Sequence, residues 1–414
     1  MPQNNVKRSD VLYISYDGLT DPLGQSQILP YLIGLSRNGY RITVLSAEKA
    51  DRFQENKSLI DSIIREHAIY WRPIFYTKRP PIIATLYDLR KMFKVAHALQ
   101  KHSPFDIVHC RSYISAMVGM SMKKQFGVRF LFDMRGFWAD ERVDGGVWRL
   151  SNPIFNAVYT YFKKREKQFF ENADHVVSLT ESGKNTILKE ITPTLNSSQI
   201  TIIPCCADLD HFIVRDDYAE SKTDWLKKLT ISSDSFVLTY LGSVGTWYLV
   251  EEMLQFFNVL KTKFKPNAVF LFITKDNPKT ILDACANLDI ESSSIRIIQS
   301  GRDELPTLLS ISNASVSFIK PSFSKRASSP TKLAELFGLG IPVFSNSGVG
   351  DIDEYYKSIL PFKVNSFSEA SFFGLWDYYF KNLPIDTQQF VKIAHQYFSL
   401  EKGVAKYATI YENL

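Results

Sequence analysis

The segment Ser328-Ser-Pro-Thr-Lys-Leu-Ala-Glu-Leu-Phe-Gly-Leu-Gly-Ile-Pro-Val-Phe344 reads as a helix running directly into a strand. Ser329 suits an N-cap and Pro330 the first helical position, while Leu333, Leu336 and Phe337 recur at the spacing of one apolar face. Gly338 and Gly340 end the helix, and the apolar run 341–344 has the look of a buried strand. Lys332 falls in the first turn, where the helix dipole is positive and an acidic residue is usual. A cation there is accounted for if an anion sits at that end, held by the free N–H groups and the lysine. Glu335, three residues on, shares that face and can reach whatever the anion is attached to. A phosphate at Lys332 and a sugar hydroxyl at Glu335 describe a bound nucleotide sugar. A solvated Lys–Glu pair on a surface helix uses the same two residues.

Outward from this segment, the chain alternates strands and helices. Strands are expected at 11–15 and 41–46, joined by a glycine-bearing loop and a helix that contain Gly24 and Gln25, so the chain opens as a βαβ unit of a parallel sheet. That loop lacks Gly-x-Gly-x-x-Gly, which argues against a dinucleotide site and against an NAD-dependent dehydrogenase. The strand at 105–112 ends on His109 and Arg111, at the edge where α/β sheets bind ligands. The strand from Arg129 runs into a loop dense in charge and aromatic rings, with Arg135, Asp140 and Glu141. A salt-bridged lid would have the same composition. A second series of strands begins at 236–241, followed by a glycine turn holding Gly242, Ser243 and Thr246 and then by a helix from about residue 248. Lys275 ends the next strand, and Lys325 and Arg326 precede the key helix. Asp208-x-Asp210 and Asp351-x-Asp353 could each hold a metal on a diphosphate, but no metal is expected.

The 414 residues exceed one ordinary core and suit two domains of roughly 200 residues each. The polar start and the lack of an apolar run near about 18 residues give no leader or membrane helix. Four cysteines without Cys-x-x-Cys spacing point to a reduced, cytoplasmic chain with no zinc site. The net charge of +6 is uneven. Between Arg72 and Lys101 also lie Lys78, Arg79, Arg90, Lys91 and Lys94 against Asp88 alone, interleaved with Trp71, Phe75, Tyr76, Tyr87 and Phe93. A basic helix with aromatics suits an anionic membrane surface or an acidic acceptor, and a solvated helix with an ordinary core face would look alike. No nucleic-acid recognition motif accompanies the charge.

Ser-Pro-x-Lys-x-x-Glu followed by Gly-x-Pro-Val resembles the donor-site helix of retaining GT-B glycosyltransferases of the family-four type. The resemblance extends over nearly the whole chain, including Asp-x-Arg-Gly-x-Trp at 133–138 and the inter-domain link at 200–212. It implies an α/β architecture of two doubly wound Rossmann-like domains facing across a cleft. Residues 1–210 would bind the acceptor, 211–390 the nucleotide sugar, and 391–414 would be a helix crossing back. In such enzymes the glutamate at Glu335 holds the donor ribose, and Ser329 to Thr331 lie against the diphosphate. The donor site would then comprise Gly242, Ser243, Thr246, Lys275, Lys325, Arg326, Ser329, Thr331, Lys332 and Glu335. Gly24, Gln25 and Arg111 would meet the acceptor. Arg135, Asp140, Glu141, His109 and Lys332 are the catalytic candidates. An earlier motif glutamate is missing, with Ala327 or Lys325 in its place, which leaves a non-catalytic nucleotide-sugar-binding or scaffold protein as the alternative. The expected activity is metal-independent hexosyl transfer from a UDP- or GDP-sugar to a glycan or lipid-linked acceptor in cell-surface polysaccharide synthesis. No cofactor is implied, since the nucleotide sugar is a co-substrate. The enzyme would work in the cytoplasm, at or near the inner face of the membrane, without nucleic acid.

Overall fold

A computed structural model describes residues 9–215 and 218–414; the first eight residues of the polar start lie outside it. Contacts divide the chain into one unit of residues up to Pro204 together with Leu400–Leu414, and another of Cys205–Ser399. In the first unit the elements are β1 (Asp10–Ser15), α1 (Pro22–Gln27), α2 (Leu29–Arg37), β2 (Arg41–Glu48), α3 (Ala50–Glu66), β3 (Tyr70–Phe75), α4 (Pro81–His102), β4 (Ile107–Arg111), α5 (Ser112–Phe126), β5 (Arg129–Asp133), α6 (Trp138–Asp144), α7 (Pro153–Asn172), β6 (His175–Ser178), α8 (Glu181–Thr186) and β7 (Ile200–Ile202). The second unit carries α9 (Tyr218–Lys228), β8 (Val237–Leu241), α10 (Val250–Lys263), β9 (Val269–Ile273), α11 (Pro278–Asn287), β10 (Ile295–Ile298), α12 (Leu305–Leu309), β11 (Ala314–Ser317), α13 (Thr331–Gly338), β12 (Val343–Asn346), α14 (Ile352–Tyr355), β13 (Lys363–Val364), α15 (Glu369–Lys381) and α16 (Gln388–Tyr397). The last helix, α17 (Leu400–Asn413), returns to the first unit.

The first sheet has seven parallel strands in the order β3-β2-β1-β4-β5-β6-β7. The chain therefore winds outward from β1 in one direction and then from β4 in the other. At that switch point neighbouring connections leave to opposite faces and open a crevice beyond the strand ends. The central strands β1 and β4 are buried almost throughout, as strands covered on both faces must be. Helix α17 packs on α2 so closely that a methyl group on Gly34 would come within 2.6 Å of Val404.

The second sheet has six parallel strands in the order β10-β9-β8-β11-β12-β13, with its switch point between β8 and β11. Its core is aromatic. Phe256 stacks on Trp376 at 4.6 Å, Phe344 packs on the same indole at 4.8 Å, and the Trp376 N–H donates to the Phe256 carbonyl. The α/β class and the two parallel Rossmann-like sheets agree with the reading of the sequence.

Three local expectations are corrected. Ser329 does not cap α13: its Oγ accepts the Cys205 backbone N–H at 3.1 Å, and the helix begins at Thr331 behind Pro330. The following strand starts at Val343 rather than at 341, because Gly340, with φ of +65°, first turns the chain. The basic segment from Arg72 is not one helix. Its first part is the edge strand β3, and α4 begins at Pro81.

Candidate active site

At the switch point of the second sheet, β8 ends in the turn Gly242–Thr246. Gly242 has φ of +117° and Thr246 of +55°, left-handed values that glycine tolerates best. The turn is fixed from two sides: the Val244 N–H donates to Asp276 at 2.7 Å, and the Tyr240 hydroxyl donates to the Ser243 carbonyl. Trp247 and Tyr248 then pair with Lys320 and Ile319, so α10 starts at Val250 rather than near 248.

Helix α13 packs under this turn and is buried from Lys332 to Gly338. A methyl group on Gly338 would fall 2.6 Å from the Phe212 carbonyl, which shows how closely the preceding segment covers it. The surface Lys–Glu pair is thereby ruled out, since Lys332 is 7% and Glu335 6% exposed. Lys332 Nζ lies 4.2 Å from the Tyr240 ring centre and 4.1 Å from that of Tyr248, and it donates to the Tyr240 hydroxyl at 3.1 Å. It also abuts the turn, for a methyl on Gly242 would stand 3.1 Å from Nζ. Among the described residues no carboxylate pairs with it. Burial therefore pulls its pKa down to about 7, with Glu335 opposing weakly. The aromatic faces stabilise the cation in part, and an anion at the turn would complete its neutralisation.

Glu335 faces another element. Arg302, in the loop after β10, donates to Oε1 at 3.0 Å, and its guanidinium lies 5.2 Å from the Phe212 ring centre. Burial raises the Glu335 carboxyl, while Arg302 and then His211 and Lys332 pull it back. Neither Arg302 nor His211 was proposed from sequence. The aromatic pair Tyr240 and Tyr248 was also missed, although a tyrosine at the end of a buried strand was a usable signal.

The remaining donor candidates are spread. Lys325 is buried with Nζ 4.2 Å from the Trp247 ring centre, whereas Arg326 is exposed over Phe323. Ser243, Thr246 and Lys275 are exposed on the rim, and Thr331 is half-buried at the helix start. Ala327, where the resembled motif has a glutamate, is fully buried. Asp208 accepts the Asp210 and His211 N–H groups, and Asp353 pairs with Lys363 at 2.8 Å, so both aspartate pairs serve their own loops. Among the described residues no group of three or more His, Cys, Asp or Glu could hold a metal ion.

At the switch point of the first sheet, β1, β4 and β5 bring Ser15, Arg111 and Asp133 into register. Arg111 is buried, with Nε 3.4 Å from Asp17. Arg135, with φ of +56°, has Nη1 3.8 Å from Asp133 and donates from Nη2 to Gln27 at 3.4 Å. Asp133 also accepts the Tyr407 hydroxyl at 3.0 Å. Burial raises its carboxyl, but Arg135, His109 and Arg111 outweigh this and hold it below the usual range. His109 is enclosed by Tyr13, Tyr407 and Tyr411, with Nδ1 2.7 Å from the Tyr411 hydroxyl; burial lowers its pKa. Asp140 ties α6 to α7 by accepting from Tyr159 at 2.9 Å and Lys163 at 2.8 Å, and Glu141 follows it on α6. Gly24 is packed so that a Cβ would fall 2.1 Å from the Gly18 carbonyl, and Gln25 donates to the Thr20 carbonyl. Glu48, unremarked in the sequence, fixes this loop by accepting the N–H groups of Leu19 and Thr20.

The family Glycosyltransferase Family 4 matches residues 31–211. No curated protein matches the full sequence. Among solved structures, a glycosyltransferase from Rickettsia africae is 17% identical with a TM-score of 0.71, covering 98% of both chains. Sucrose-phosphate synthase from Thermosynechococcus elongatus is 14% identical with a TM-score of 0.72, covering 98% of this chain and 99% of that one. Anabaena HepE, solved with UDP and glucose, is 12% identical with a TM-score of 0.69, covering 98% of this chain and all of that one. These identities establish a shared fold, and the family match covers residues 31–211. Residues 31–211 thus match glycosyltransferase family 4, and the chain as a whole shares the two-sheet fold of solved glycosyltransferases.

Proposed function

We propose that the enzyme transfers a hexose from a UDP- or GDP-sugar to a glycan or lipid-linked acceptor, retaining the anomeric configuration, in cell-surface polysaccharide synthesis. The observation that carries this reading is Lys332, a buried cation with two tyrosine rings and, among the described residues, no carboxylate partner, set against the Gly242 turn. A nucleoside diphosphate on that turn supplies the missing charge, and Glu335 lies one helical turn away for the ribose. Anabaena HepE, which shares the fold, was solved with UDP and with UDP-glucose. As the glycosidic bond breaks, negative charge grows on the leaving diphosphate. Lys332 and the turn's backbone stabilise that charge, so no metal is needed. Front-face attack by the acceptor is the route to retention. Residues 1–210 would hold the acceptor through Arg111 and the Gly24–Gln25 loop, and residues 211–390 the donor.

Turnover of UDP- and GDP-sugars with an acceptor glycan, in excess chelator, tests this reading. NMR of the product should show the donor's anomeric configuration. Binding of nucleotide sugar without any transfer would favour the scaffold alternative.

The outward side of α4 supports work at the inner face of the membrane. Ile83, Leu86, Tyr87, Arg90 and Lys94 are exposed and recur every three or four residues, with Lys78 and Arg79 just before the helix. Lys91 is not part of this face: it pairs with the fully buried Asp88 at 2.7 Å. No helix of the described residues is long and apolar enough to cross a membrane. Each exposed basic residue contributes about 1 kcal/mol at an anionic surface. Replacing Lys78, Arg79, Arg90 and Lys94 by serine should release the protein from anionic vesicles and leave nucleotide binding intact. Wild-type protein that ignores such vesicles at low salt would refute the membrane role.

A further inference from the structure

Glu335 belongs to a three-element cluster that the donor helix does not contain by itself. The loop after β10 brings Arg302 to the carboxylate at 3.0 Å, an ion pair with side-chain exposures of 31% and 8%. The segment before the second domain's first helix holds Arg302 in turn. The Phe212 ring lies beneath its guanidinium, and His211 Nε2 is 3.1 Å from its backbone carbonyl, an atom that only accepts, so the imidazole donates there. Phe212 also presses its own carbonyl against α13 at Gly338. The same short segment thus fixes both the helix that bears Glu335 and the arginine that meets it.

We infer that Arg302 is a positioning residue: it holds one oxygen of the Glu335 carboxylate and so presents the other to the ribose hydroxyls of the donor nucleotide. This rests on the reading of Glu335 as the ribose ligand. A carboxylate can rotate about its last torsion between broad minima, and a charged hydrogen bond to one oxygen removes that freedom. The bond also sets the protonation state. Burial raises the Glu335 carboxyl, and Arg302 is the largest opposing influence, ahead of His211 from the preceding segment and Lys332 from the same helix. With Arg302 removed, the Glu335 carboxyl is pushed further toward its protonated form. A neutral acid then offers the diol a freely rotating hydroxyl and carbonyl in place of an oriented anion. Arg302 itself stays partly exposed, which leaves it accessible from solvent while one of its N–H groups is committed.

The test uses the full-length protein and measures the affinity ratio of UDP to 2′-deoxy-UDP by calorimetry at about pH 6.5 and about pH 8.5. Guanosine counterparts replace these if the wild type binds only them. Both ligands of a pair carry the same diphosphate, so titration of Lys332 cancels in the ratio. Wild type should prefer the ribonucleotide by about tenfold or more at both pH values. Arg302→Met should discriminate less well than wild type, and less well at the lower pH than at the higher, because loss of the arginine favours the protonated carboxyl. Arg302→Lys should restore most of the ratio at both. Thermal melts would verify that each variant is folded. The inference is overturned if Arg302→Met discriminates like wild type at both pH values, or loses discrimination equally at both, which would make Arg302 a direct ribose contact. If Glu335→Gln keeps the full wild-type ratio, or wild type shows none, the ribose reading of Glu335 fails and the inference with it.

Discussion

The two sheets reverse direction at equivalent places, between β1 and β4 in one and between β8 and β11 in the other, yet the charges gathered there are balanced differently. In the first, Arg111 and Arg135 face Asp17 and Asp133, and Asp133 is further held by Tyr407. Each buried arginine thus faces a carboxylate of the protein, Asp133 buried and Asp17 partly exposed. In the second, Lys332 is buried among aromatic rings with no such partner among the described residues, and Glu335 is answered by Arg302 rather than by the lysine three residues before it. A buried charge costs free energy unless it is paired, so the first arrangement carries its own counter-charges, and in the proposed reading the second is completed by the donor's diphosphate. The same topology therefore yields one crevice whose charges face one another and another whose buried lysine is the proposed partner of the donor diphosphate.

Variants should separate the two by the sign of their effect on stability. Asp133→Asn removes the shared partner of a buried pair, and the fold should lose about 3–5 kcal/mol, read from chemical denaturation. Little or no loss would mean that the first crevice is not internally balanced. Lys332→Met should act in the opposite sense. Removing an unpaired buried cation should leave the melting temperature unchanged or higher, while kcat falls about 10²–10³-fold through loss of leaving-group stabilisation. A variant that is both active and less stable would place the lysine among the structural residues.

The comparison sharpens with pH. The Lys332 pKa is lowered from its ordinary value to about 7 in the fold, so between about 7 and the ordinary lysine value the unfolded chain carries the proton and the folded chain does not. Stability of the ligand-free protein should therefore rise with pH across that window, and Lys332→Met should abolish the rise. Anion binding runs the other way. Affinity for UDP should fall by up to about tenfold per pH unit above about 7, with proton uptake on binding visible as a buffer-dependent heat. A flat profile would remove the titrating lysine from the site. The smallest effect belongs to the first crevice. Tyr407→Phe deletes one hydrogen bond to Asp133 and should cost about 1–2 kcal/mol of stability, with UDP affinity unchanged in calorimetry.

How much of this could be read from the chain depends on the distance over which each interaction acts. A buried strand such as β9 announces itself by a continuous apolar run, and parallel pairing follows from the alternation of strands with helices. The positions of Lys332 and Glu335 on one face follow from helical geometry alone. Ser329 was misread for a related reason: a serine before a helix is a cap by local rules, and here a backbone N–H from Cys205, 124 residues away, takes its hydroxyl instead.

The amino-acid sequence by itself determined the class of fold, the order of elements and the residues that make α13 unusual, because periodicity, capping chemistry and turn residues act over a few positions. Only the tertiary structure decided which charges meet. Arg302 reaches Glu335 from 33 positions away, and Tyr411 reaches His109 from 302. It also decided that Lys332 is buried, since the rings that enclose it sit at the end of β8 and just before α10. Such contacts depend on strand order and on which helix returns to which sheet, and a residue's own neighbours in sequence carry no record of either.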